Sequence, residues 1–338
     1  MRRSPKAITI LDVAKTAGVS VSTVSRVLNG KDDVALDTIK RVQTVVENLG
    51  YASSLAARGM RSHRTNVIGL IVPDVANPYC YAIMCGVNRA IAQLDQDLLI
   101  YTSGGRKRES IAAHEHSYVA LLNGGIADGV IVVTPTATDF SSHAPTVIID
   151  PNNESPDYPA VLSNNYEGAL AAMNYLTGLG HRRIGHITGR LELVSANQRL
   201  QGYRDGLAAA GIPFDQTLVE IGDFTTETAV PCAQKLLSLS NRPTAIFAAN
   251  DMSAVGVYQA AKEAGLRIPQ DLSVIGFDNL IDSSFMVPAL TTVDQFMEEM
   301  GNVATEMIAN LVNDVKLQRK VHIFQTQLII RASCSSPL

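Results

Sequence analysis

Eleven polar or aromatic side chains stand at or just beyond the ends of apolar segments in the part of the chain after residue 66. They are Asp74, Asn77, Tyr79, Asp150, Ser195, Asn197, Arg199, Phe224, Asn250, Asp278 and Gln295. A sugar presents hydroxyl groups in pairs and an apolar ring face. Carboxylates and amides bond to hydroxyls, arginine holds a vicinal pair, and aromatic rings cover the ring face. The set therefore predicts a site for a small polyhydroxylated molecule.

Two of the carboxylates near these segment ends have a simpler alternative. Asp278 and Asp251 each precede a stretch that could be helical, and an acidic side chain there could cap the helix without touching a ligand. A purely structural role is a weaker explanation for the whole group than for any one member. We therefore keep both interpretations for Asp278 and Asp251 and assign the group as a whole to ligand binding.

A second kind of chemistry lies near the N-terminus, in GVSVSTVSRVLNG (residues 18–30). Three serines and a threonine fall between Ser20 and Ser25, and Arg26 follows. Small side chains let a helix backbone approach a phosphate chain, where hydroxyls and helix-terminal N–H groups bond phosphate oxygens. Arg26 can donate two hydrogen bonds to guanine, and an exposed Val21 could contact a thymine methyl group. The stretch predicts a helix that enters the major groove of DNA.

Motifs for other functions are missing from the sequence. No Gly-x-Gly-x-x-Gly or P-loop opens a strand–helix unit, and the sequence has neither a nucleophile elbow nor a metal-binding spacing. The four scattered cysteines favour reduced thiols in the cytosol. Asp12 and Lys15 interrupt any signal-peptide core, and no apolar run reaches the roughly 20 residues of a membrane span. We therefore expect a cytoplasmic protein with no cofactor and no metal.

The charge of the chain is divided unevenly. Residues 1–65 carry a formal charge of +6 and residues 66–338 a charge of −10, which together give the overall −4. A small basic segment on an acidic body favours an anionic partner that touches only the basic segment. A solvated basic face without a partner is the alternative that charge alone leaves open.

Hydrophobic spacing predicts three helices in the head, which is the segment 1–50. Thr9 and Asp12 resemble a capping box, Gly18 ends the first helix, and Ser20 caps the second. The third helix is expected from about Thr38 to Asn48. The first helix supplies apolar surface through Leu11, Val13, Ala14 and Ala17, and the second has an apolar stripe of Val24, Val27 and Leu28. In the third helix, the predicted inward-facing residues are Ile39, Val42, Val45, Val46 and Leu49. A helix, a glycine turn and a small-residue helix match the helix-turn-helix plan.

From Asn66 onward the pattern changes to alternating strands and helices. The run NVIGLIVPD is apolar throughout, as in a strand buried on both faces, and six later runs repeat its form. Helical stretches such as Tyr79 to Gln93 and Asn165 to Leu179 intervene. This alternation predicts an α/β body with parallel sheets, and the number of strands favours two doubly wound subdomains. The crevice beyond the carboxyl ends of the strands is then the expected ligand site.

Three segments carry a resemblance to a known family. TILDVAKTAGVSVSTVSRVLNG, VENLGY and LIIRAS resemble the LacI/GalR family of bacterial transcription regulators, and the likeness covers essentially the whole chain. The resemblance implies a helix-turn-helix head and a periplasmic-binding-protein-like body. The implied limits are 1–50 for the head, 51–65 for a hinge segment, 66–163 plus 293–325 for the N-terminal subdomain, and 164–292 plus 326–338 for the C-terminal subdomain.

The resemblance also implies which residues contact DNA. Val21, Ser22 and Arg26 would read bases, while Ala57 and Met60 belong to a hinge helix that enters the minor groove. The implied backbone contacts are Thr9, Ser20, Thr23, Ser25, Asn29 and Thr38. Because so short a helix is marginal in water, we expect it to form only on operator DNA. An ordinary flexible linker is the alternative, and hydrogen exchange with and without operator would distinguish the two.

Some positions depart from the family pattern. Ala35 stands where a serine or threonine commonly caps the third helix, so about 1 kcal/mol of capping is lost unless Asp37 takes over. Cys80 replaces a frequent second aromatic residue of the ligand site. Pro151 replaces an arginine present in some sugar binders. These last two differences leave the identity of the ligand open.

In the body, the resemblance implies effector contacts for Arg199, Asn250, Asp278 and Gln295. It also matches Tyr79, Asp150 and Phe224 to ligand-contacting positions of pentose-type relatives. The expected protein is a homodimeric repressor that binds double-stranded operator DNA and responds to a sugar, polyol or nucleoside. No leucine heptad follows LIIRAS, so no tetramerisation helix is expected. The alternatives are a solute-binding transport component, which the basic head disfavours, and an α/β enzyme, which turnover of a bound ligand would reveal.

Overall fold

The chain consists of two compact units. They are residues 1–65, which contain the head and the hinge segment, and residues 66–338, the body. The computed structural model describes residues 8–28, 33–50, 64–104, 110–140 and 145–337. Within those ranges no helix has both the length and the apolar character to cross a membrane.

Three short helices form the head: α1 (Ile10–Ala17), α2 (Val21–Leu28) and α3 (Leu36–Leu49). The Thr9 side chain accepts a hydrogen bond from the Asp12 N–H, and the Asp12 carboxylate accepts one from the Thr9 N–H at 2.8 Å. The predicted capping box is therefore present. Gly18 ends α1 at φ 65°, a left-handed conformation that glycine adopts at little cost.

The core of the head is narrower than the hydrophobic spacing predicts. Val13, Val24 and Val42, one from each helix, are fully buried at its centre. Leu11 is 65% exposed and Leu28 is 37% exposed, so neither of these two apolar residues belongs to the buried centre. A short amphipathic helix buries only one stripe of its surface, and Leu11 lies two positions from Val13, on the opposite side of α1.

The third helix begins two residues earlier than predicted. Its first residue is Leu36, and Ala35 occupies the N-cap position with no side-chain hydrogen bond. Capping does not shift to Asp37, because that residue already lies in the first turn. A carboxylate there still interacts favourably with the positive end of the helix dipole. Helix α3 therefore lacks a side-chain cap, as the alanine at position 35 predicts.

The first lobe of the body is built on a six-stranded parallel sheet in the order β11-β5-β4-β3-β1-β2. Its strands are β1 (Val67–Val72), β2 (Asp97–Thr102), β3 (Gly129–Val133), β4 (Thr146–Ile149), β5 (Ala160–Ser163) and β11 (Val321–Phe324). Its helices are α4 (Pro78–Gln93), α5 (Ile111–Asn123) and α10 (Met297–Val312). Every residue of β1 and β3 is buried, as the apolar runs predict.

The second lobe has a four-stranded parallel sheet in the order β7-β6-β8-β9. Its strands are β6 (Ile184–Ile187), β7 (Val219–Glu220), β8 (Ala245–Ala248) and β9 (Ser273–Ile275). Its helices are α6 (Asn165–Gly178), α7 (Val194–Ala209), α8 (Thr226–Leu237) and α9 (Asp251–Glu263). Two cores, one on each face of this sheet, include Phe247 and Ile246, which point in opposite directions from β8.

The chain passes between the lobes more than once. An antiparallel pair, β10 (Thr292–Asp294) and β12 (Gln327–Ile329), lies in this crossing region. Between those strands, α10 and β11 return to the first lobe, where Met300 and Ile308 join the core. The predicted fold class, two parallel-sheet lobes after a small helical head, is confirmed. The exact subdomain limits near residues 163, 293 and 325 stay predictions.

Candidate functional site

A cavity of about 130 Å³ lies within the body, where segments of both lobes meet. Eight of the predicted ligand-site residues line it: Asn77, Tyr79, Asp150, Ser195, Arg199, Phe224, Asn250 and Asp278. Most of them follow the carboxyl end of a parallel strand or begin the next helix, which is where such sheets expose polar groups. The apolar runs thus position these side chains at one site although they are distant in sequence.

Arg199 lies at the centre of the polar groups and is 3% exposed. Its Nε donates to the Asn165 side-chain oxygen at 2.9 Å, and its Nη1 donates to the Ala249 carbonyl at 2.6 Å. The same Nη1 is 3.6 Å from the Asp278 carboxylate. Because these partners fix the guanidinium plane, the remaining donors are held in place before a ligand arrives.

Two aromatic rings flank the guanidinium of Arg199. The central guanidinium carbon, Cζ, is 3.8 Å from the centre of the Phe277 ring and 5.6 Å from the centre of the Phe224 ring. Asn250 holds the Phe224 backbone by donating to its carbonyl at 3.1 Å, while its own side-chain oxygen caps α9. An arginine this close to aromatic rings gains cation–π attraction. Phe224 also supplies an apolar surface to the cavity.

Asp278 is 2% exposed and carries a carboxylate that a second buried side chain supports from beneath. Gln295 donates to it at 2.5 Å and in turn accepts a hydrogen bond from the Ser163 hydroxyl at 2.5 Å. Burial raises the pKa of Asp278 to about 7, although the charge of Arg199 opposes this increase. The carboxyl therefore changes its protonation state near neutral pH unless a ligand alters its surroundings.

Asp150 and Tyr79 form a neighbouring pair of titratable groups. Burial raises the pKa of Asp150, against the effects of the Arg199 charge and a hydrogen bond from Ser195. Burial, together with the charge of Asp150, raises the pKa of Tyr79 well above its ordinary value. The Tyr79 hydroxyl is buried and has no well-aligned hydrogen-bond partner among the described residues, although the nearby Thr134 hydroxyl opposes the increase in its pKa. It is therefore a neutral group that a bound hydroxyl could satisfy.

Three predicted ligand-site residues do not line the cavity. Asp74 is exposed and accepts a hydrogen bond from the Ala76 N–H at 2.9 Å, which stabilises its own turn. Asn197 is also exposed and donates to the Leu191 carbonyl at 2.6 Å. Gln295 is buried beneath Asp278 and positions it. Position after a strand does not reveal whether a side chain faces the ligand, the solvent or another side chain.

The sequence allows Asp251 either to bind the ligand or to play a structural role. Its contacts favour the structural role. It is 2% exposed and does not line the cavity. Its carboxylate accepts hydrogen bonds from the Leu280 N–H at 2.8 Å and from the Thr292 hydroxyl at 2.5 Å. Burial and the charge of Asp278 raise its pKa well above the ordinary value. Asp251 thus joins the start of α9 to the crossing region.

Other lining residues were not predicted as ligand contacts: Pro73, Cys80, Thr134, Arg190, Leu193 and Asp223. Thr134 directly follows β3, so the strand-end rule could have identified it. The sequence marks Cys80 only as a departure from the family pattern. Arg190 and Leu193 lie in the turn between β6 and α7, where sequence offers no period that orients a side chain.

Strained backbone concentrates around the cavity. Four non-glycine lining residues have positive φ angles: Thr134 at 41°, Asp150 at 50°, Phe224 at 73° and Asp278 at 111°. Left-handed conformations of such residues cost free energy and persist only where the surrounding structure fixes them. Strained residues of this kind are often found at ligand sites, which supports the candidate assignment of the cavity. Among the described residues, no group of His, Cys, Asp or Glu side chains could hold a metal ion.

In the head, the hydroxylated residues of α2 form a connected cluster. The Ser20 hydroxyl lies 2.7 Å from that of Ser22 and 2.8 Å from that of Thr23, and it accepts a hydrogen bond from the Thr23 N–H. Ser20 therefore caps α2 as predicted. Arg26 is 59% exposed and forms a 3.5 Å ion pair with Asp33. Such an exposed pair is weak enough for the arginine to be released to another partner.

The other predicted DNA-contacting residues vary in exposure. Val21 is half-buried and packs against the head core, so it is less exposed than the sequence predicts. Thr9 is exposed and occupied in its capping box, while Ser25 and Thr38 are half-buried. Asn29, Ala57 and Met60 lie outside the described residues, as does nearly all of the hinge segment.

Comparisons with known proteins agree with this architecture. Residues 9–54 match the model of bacterial regulatory proteins of the lacI family, and residues 173–334 match the periplasmic binding protein-like domain. The HTH-type transcriptional repressor PurR of Photobacterium profundum is 33% identical over 332 residues, which are 96% of this chain and 98% of that protein. PurR of Vibrio atlanticus is 32% identical over the same length.

Two solved structures are similar over nearly the whole chain. The complex of the transcriptional regulator CelR with cellobiose has a TM-score of 0.72 and 30% identity, covering 96% of this chain and 99% of CelR. The lac repressor dimer bound to operator and the anti-inducer ONPF has a TM-score of 0.82 and 25% identity, covering 98% and 100% of the two chains. Head and body thus occur together in proteins of known structure.

Proposed function

Because the chain belongs to the lacI family of bacterial regulatory proteins and is a DNA-binding transcription repressor, we propose that a neutral carbohydrate bound in the body cavity controls its operator affinity. One observation carries the choice of ligand. Arg199, Asp150 and Asp278 meet in a small buried cavity that also contains an aromatic ring. Paired donors and acceptors beside an apolar face complement a sugar ring.

The similar structures support this ligand class. CelR binds cellobiose in its solved complex. The present cavity, at about 130 Å³, is far smaller than the several hundred cubic ångströms typical of larger ligand sites. We therefore propose a single sugar ring as the effector of this chain. Induction, in which the sugar weakens operator binding, is the favoured direction of the response.

For the DNA-binding surface, we propose that Ser22 and Arg26 read base edges while the other hydroxylated residues contact phosphates. Both side chains are exposed on α2, and Val21, which is half-buried, has only part of its surface available to a thymine methyl group. The proposed backbone contacts among described residues are Thr9, Ser20, Thr23, Ser25 and Thr38. For Asn29, Ala57 and Met60, which lie outside the described residues, we propose DNA contacts from the family resemblance alone. The proposed location is the cytoplasm, where operator DNA is accessible.

We further propose that the active form is a homodimer joined along the body. Val75, Tyr81 and Ile281 are 48%, 62% and 77% exposed and border one broad cleft of about 730 Å³. Phe285 and Val287, in the segment that follows Ile281, are 75% and 92% exposed. Apolar surface of this extent is a mark of protein interfaces. The lac repressor in the similar structure is also a dimer on its operator.

Closure of the two lobes on the sugar is the proposed link to DNA. Closure would alter the crossing region and the start of β1, from which the chain leads back to the hinge segment. A 100-fold change in operator affinity requires about 2.7 kcal/mol of coupling, which lies within the usual allosteric range. The few hydrogen bonds that a sugar makes with both lobes are sufficient for this amount.

The test combines a thermal-shift screen of pentoses, hexoses, polyols and nucleosides with operator binding measured by fluorescence anisotropy. We expect a neutral sugar to raise the melting temperature and to weaken operator binding. Asp278→Asn should lose the sugar response while keeping operator affinity. Asp157→Asn, at an exposed carboxylate outside the cavity, should respond like wild type. A normal response of Asp278→Asn would contradict the proposed site.

A further inference from the structure

One polar part of the cavity is not used by the proposed sugar contacts. It consists of Arg190, which follows β6, and Asp223, which follows β7, and both residues line the cavity. Arg190 Nε donates to the Glu192 carboxylate at 2.9 Å. The Asp223 carboxylate accepts hydrogen bonds from the hydroxyls of Thr225 at 2.6 Å and Thr228 at 2.9 Å. Both side chains are therefore fixed in orientation.

The Arg190 guanidinium has an unused donor. Its Nη2 is buried and has no hydrogen-bond partner among the described residues. A buried N–H that loses water without gaining a partner costs free energy, so a molecule in the cavity is expected to accept from it. Because Glu192 holds Nε, the plane of the guanidinium is set and its remaining N–H groups have a defined direction. A flexible surface arginine would have neither property.

On the basis of the proposed function, we infer that Arg190 and Asp223 form a second hydroxyl-binding pair, in addition to Arg199 and Asp278. An arginine beside a carboxylate offers donors and an acceptor together, which matches a vicinal diol. Two such pairs in a cavity for one ring require a ligand with hydroxyl groups at both of its ends. The geometry thus favours a free monosaccharide over a nucleoside or a glycoside with an apolar substituent.

The charges around Arg190 favour a neutral ligand. Its guanidinium is paired with Glu192 and interacts electrostatically with Asp223, so the three groups together carry a net negative charge. Burial opposes ionisation of Asp223, but hydrogen bonds from Thr225 and Thr228 outweigh it and, with the charge of Arg190, keep its pKa below the ordinary value. An anionic sugar such as a uronate or a sugar phosphate would meet this ionised carboxylate. A neutral hydroxyl would meet no such repulsion.

The test is isothermal titration of the full chain with D-ribose, D-xylose, L-arabinose, D-glucose and D-galactose. Methyl glycosides and monodeoxy forms of any sugar that binds follow, together with D-glucuronate. Arg190→Ala should weaken binding of the parent sugar about 10- to 100-fold. It should leave unchanged the affinity for the one deoxy sugar that lacks the hydroxyl contacted by Arg190. Arg190→Met, which keeps the side-chain length, is a second variant in case the first is unstable.

Arg182→Ala is the matched control, because Arg182 belongs to the same lobe, does not line the cavity and donates to the backbone carbonyls of Thr177 and His181. It should bind every sugar like wild type. If Arg190→Ala and wild type discriminate equally between parent and deoxy sugars, the inference about Arg190 is wrong while the proposed function stands. If wild type binds none of the neutral sugars, the proposed ligand class fails and the inference with it. Arg190-dependent preference for D-glucuronate would overturn the diol assignment alone.

Discussion

At the scale of single residues, we expect the proposed base recognition to depend most on Arg26. Replacing it with alanine should reduce discrimination between operator and mutated operator by about 1–3 kcal/mol, because a bidentate contact with guanine is lost. The ion pair with Asp33, in which both side chains are 59% exposed, does little to restrain Arg26. Competition binding with a set of single-base operator variants measures the effect.

Arg26→Lys serves as the matched variant for this measurement. It keeps the positive charge but lacks the planar fork, so it should lose discrimination while retaining more total affinity than Arg26→Ala. If either variant shows the same order of affinities for the operator variants as wild type, with the same free-energy differences between them, Arg26 does not read a base.

Asp278 should make stability depend on pH. Burial raises its pKa from 3.8 to about 7 in the folded protein. Between these values the folded state holds a proton that the unfolded state has released, so the contribution of this group to stability falls as pH rises. Asp278→Asn removes the titration. Its free energy of unfolding relative to wild type should therefore increase by about 1–3 kcal/mol between about pH 5 and about pH 8.

Urea unfolding of the ligand-free protein at several pH values measures this difference. The charge of Asp278 also raises the pKa of Asp251, so the difference between the two curves reports the titration of Asp278 together with its coupling to that neighbouring carboxyl group. Parallel pH profiles for Asp278→Asn and wild type would show that Asp278 does not carry the shifted titration.

Most of the cavity was predictable from single residues because parallel strands bring their carboxyl ends to one edge. Asp150 and Asp278 were found in this way. The sequence does not distinguish Gln295 from these lining residues, because it also directly follows a strand, β10. In the structure its side chain lies beneath Asp278 and does not line the cavity. Arg190 was missed because it stands in a turn whose side-chain directions depend on tertiary contacts. Sequence therefore identified the edge of the sheet better than it identified which side chains face inward.

At the scale of elements, α3 should be stabilised by restoring its missing cap. Ala35 has the extended backbone of an N-cap residue but no side chain that can accept the N–H groups of the first turn. Ala35→Ser should stabilise the helix by about 1 kcal/mol. Hydrogen exchange of α3 amides in the full chain should then slow about fivefold. Ala35→Val, which has no hydrogen-bonding group, should leave the exchange rates unchanged.

An equal effect of serine and valine at position 35 would show that capping is not the cause. The boundary of α3 also shows the limit of pattern reading. Apolar spacing locates Val42 and its neighbours correctly, but Leu36 is 75% exposed and gives no inward signal at the start of the helix. Helix ends are fixed by caps and local hydrogen bonds, which hydrophobic periodicity does not report.

At the scale of the whole molecule, the basic head and the acidic body interact differently with DNA. The head supplies a surface for the phosphate backbone, and the negative body would be repelled by DNA at close range. A single head has few base contacts, so two copies on one operator are needed for high affinity. Assembly of the body therefore determines how firmly the heads bind.

Breaking the proposed body interface should weaken operator binding without altering either site. Tyr81→Asp places a charge on an apolar side chain that is 62% exposed in the isolated chain. If that side chain is covered in a dimer, burying the charge costs several kcal/mol and the chain becomes monomeric. Sedimentation velocity should show the loss of the dimer, and operator affinity should fall at least 10-fold. Ile221→Asp, at a site 65% exposed in the second lobe away from that cleft, should remain dimeric. A dimeric Tyr81→Asp with normal affinity would place the interface elsewhere.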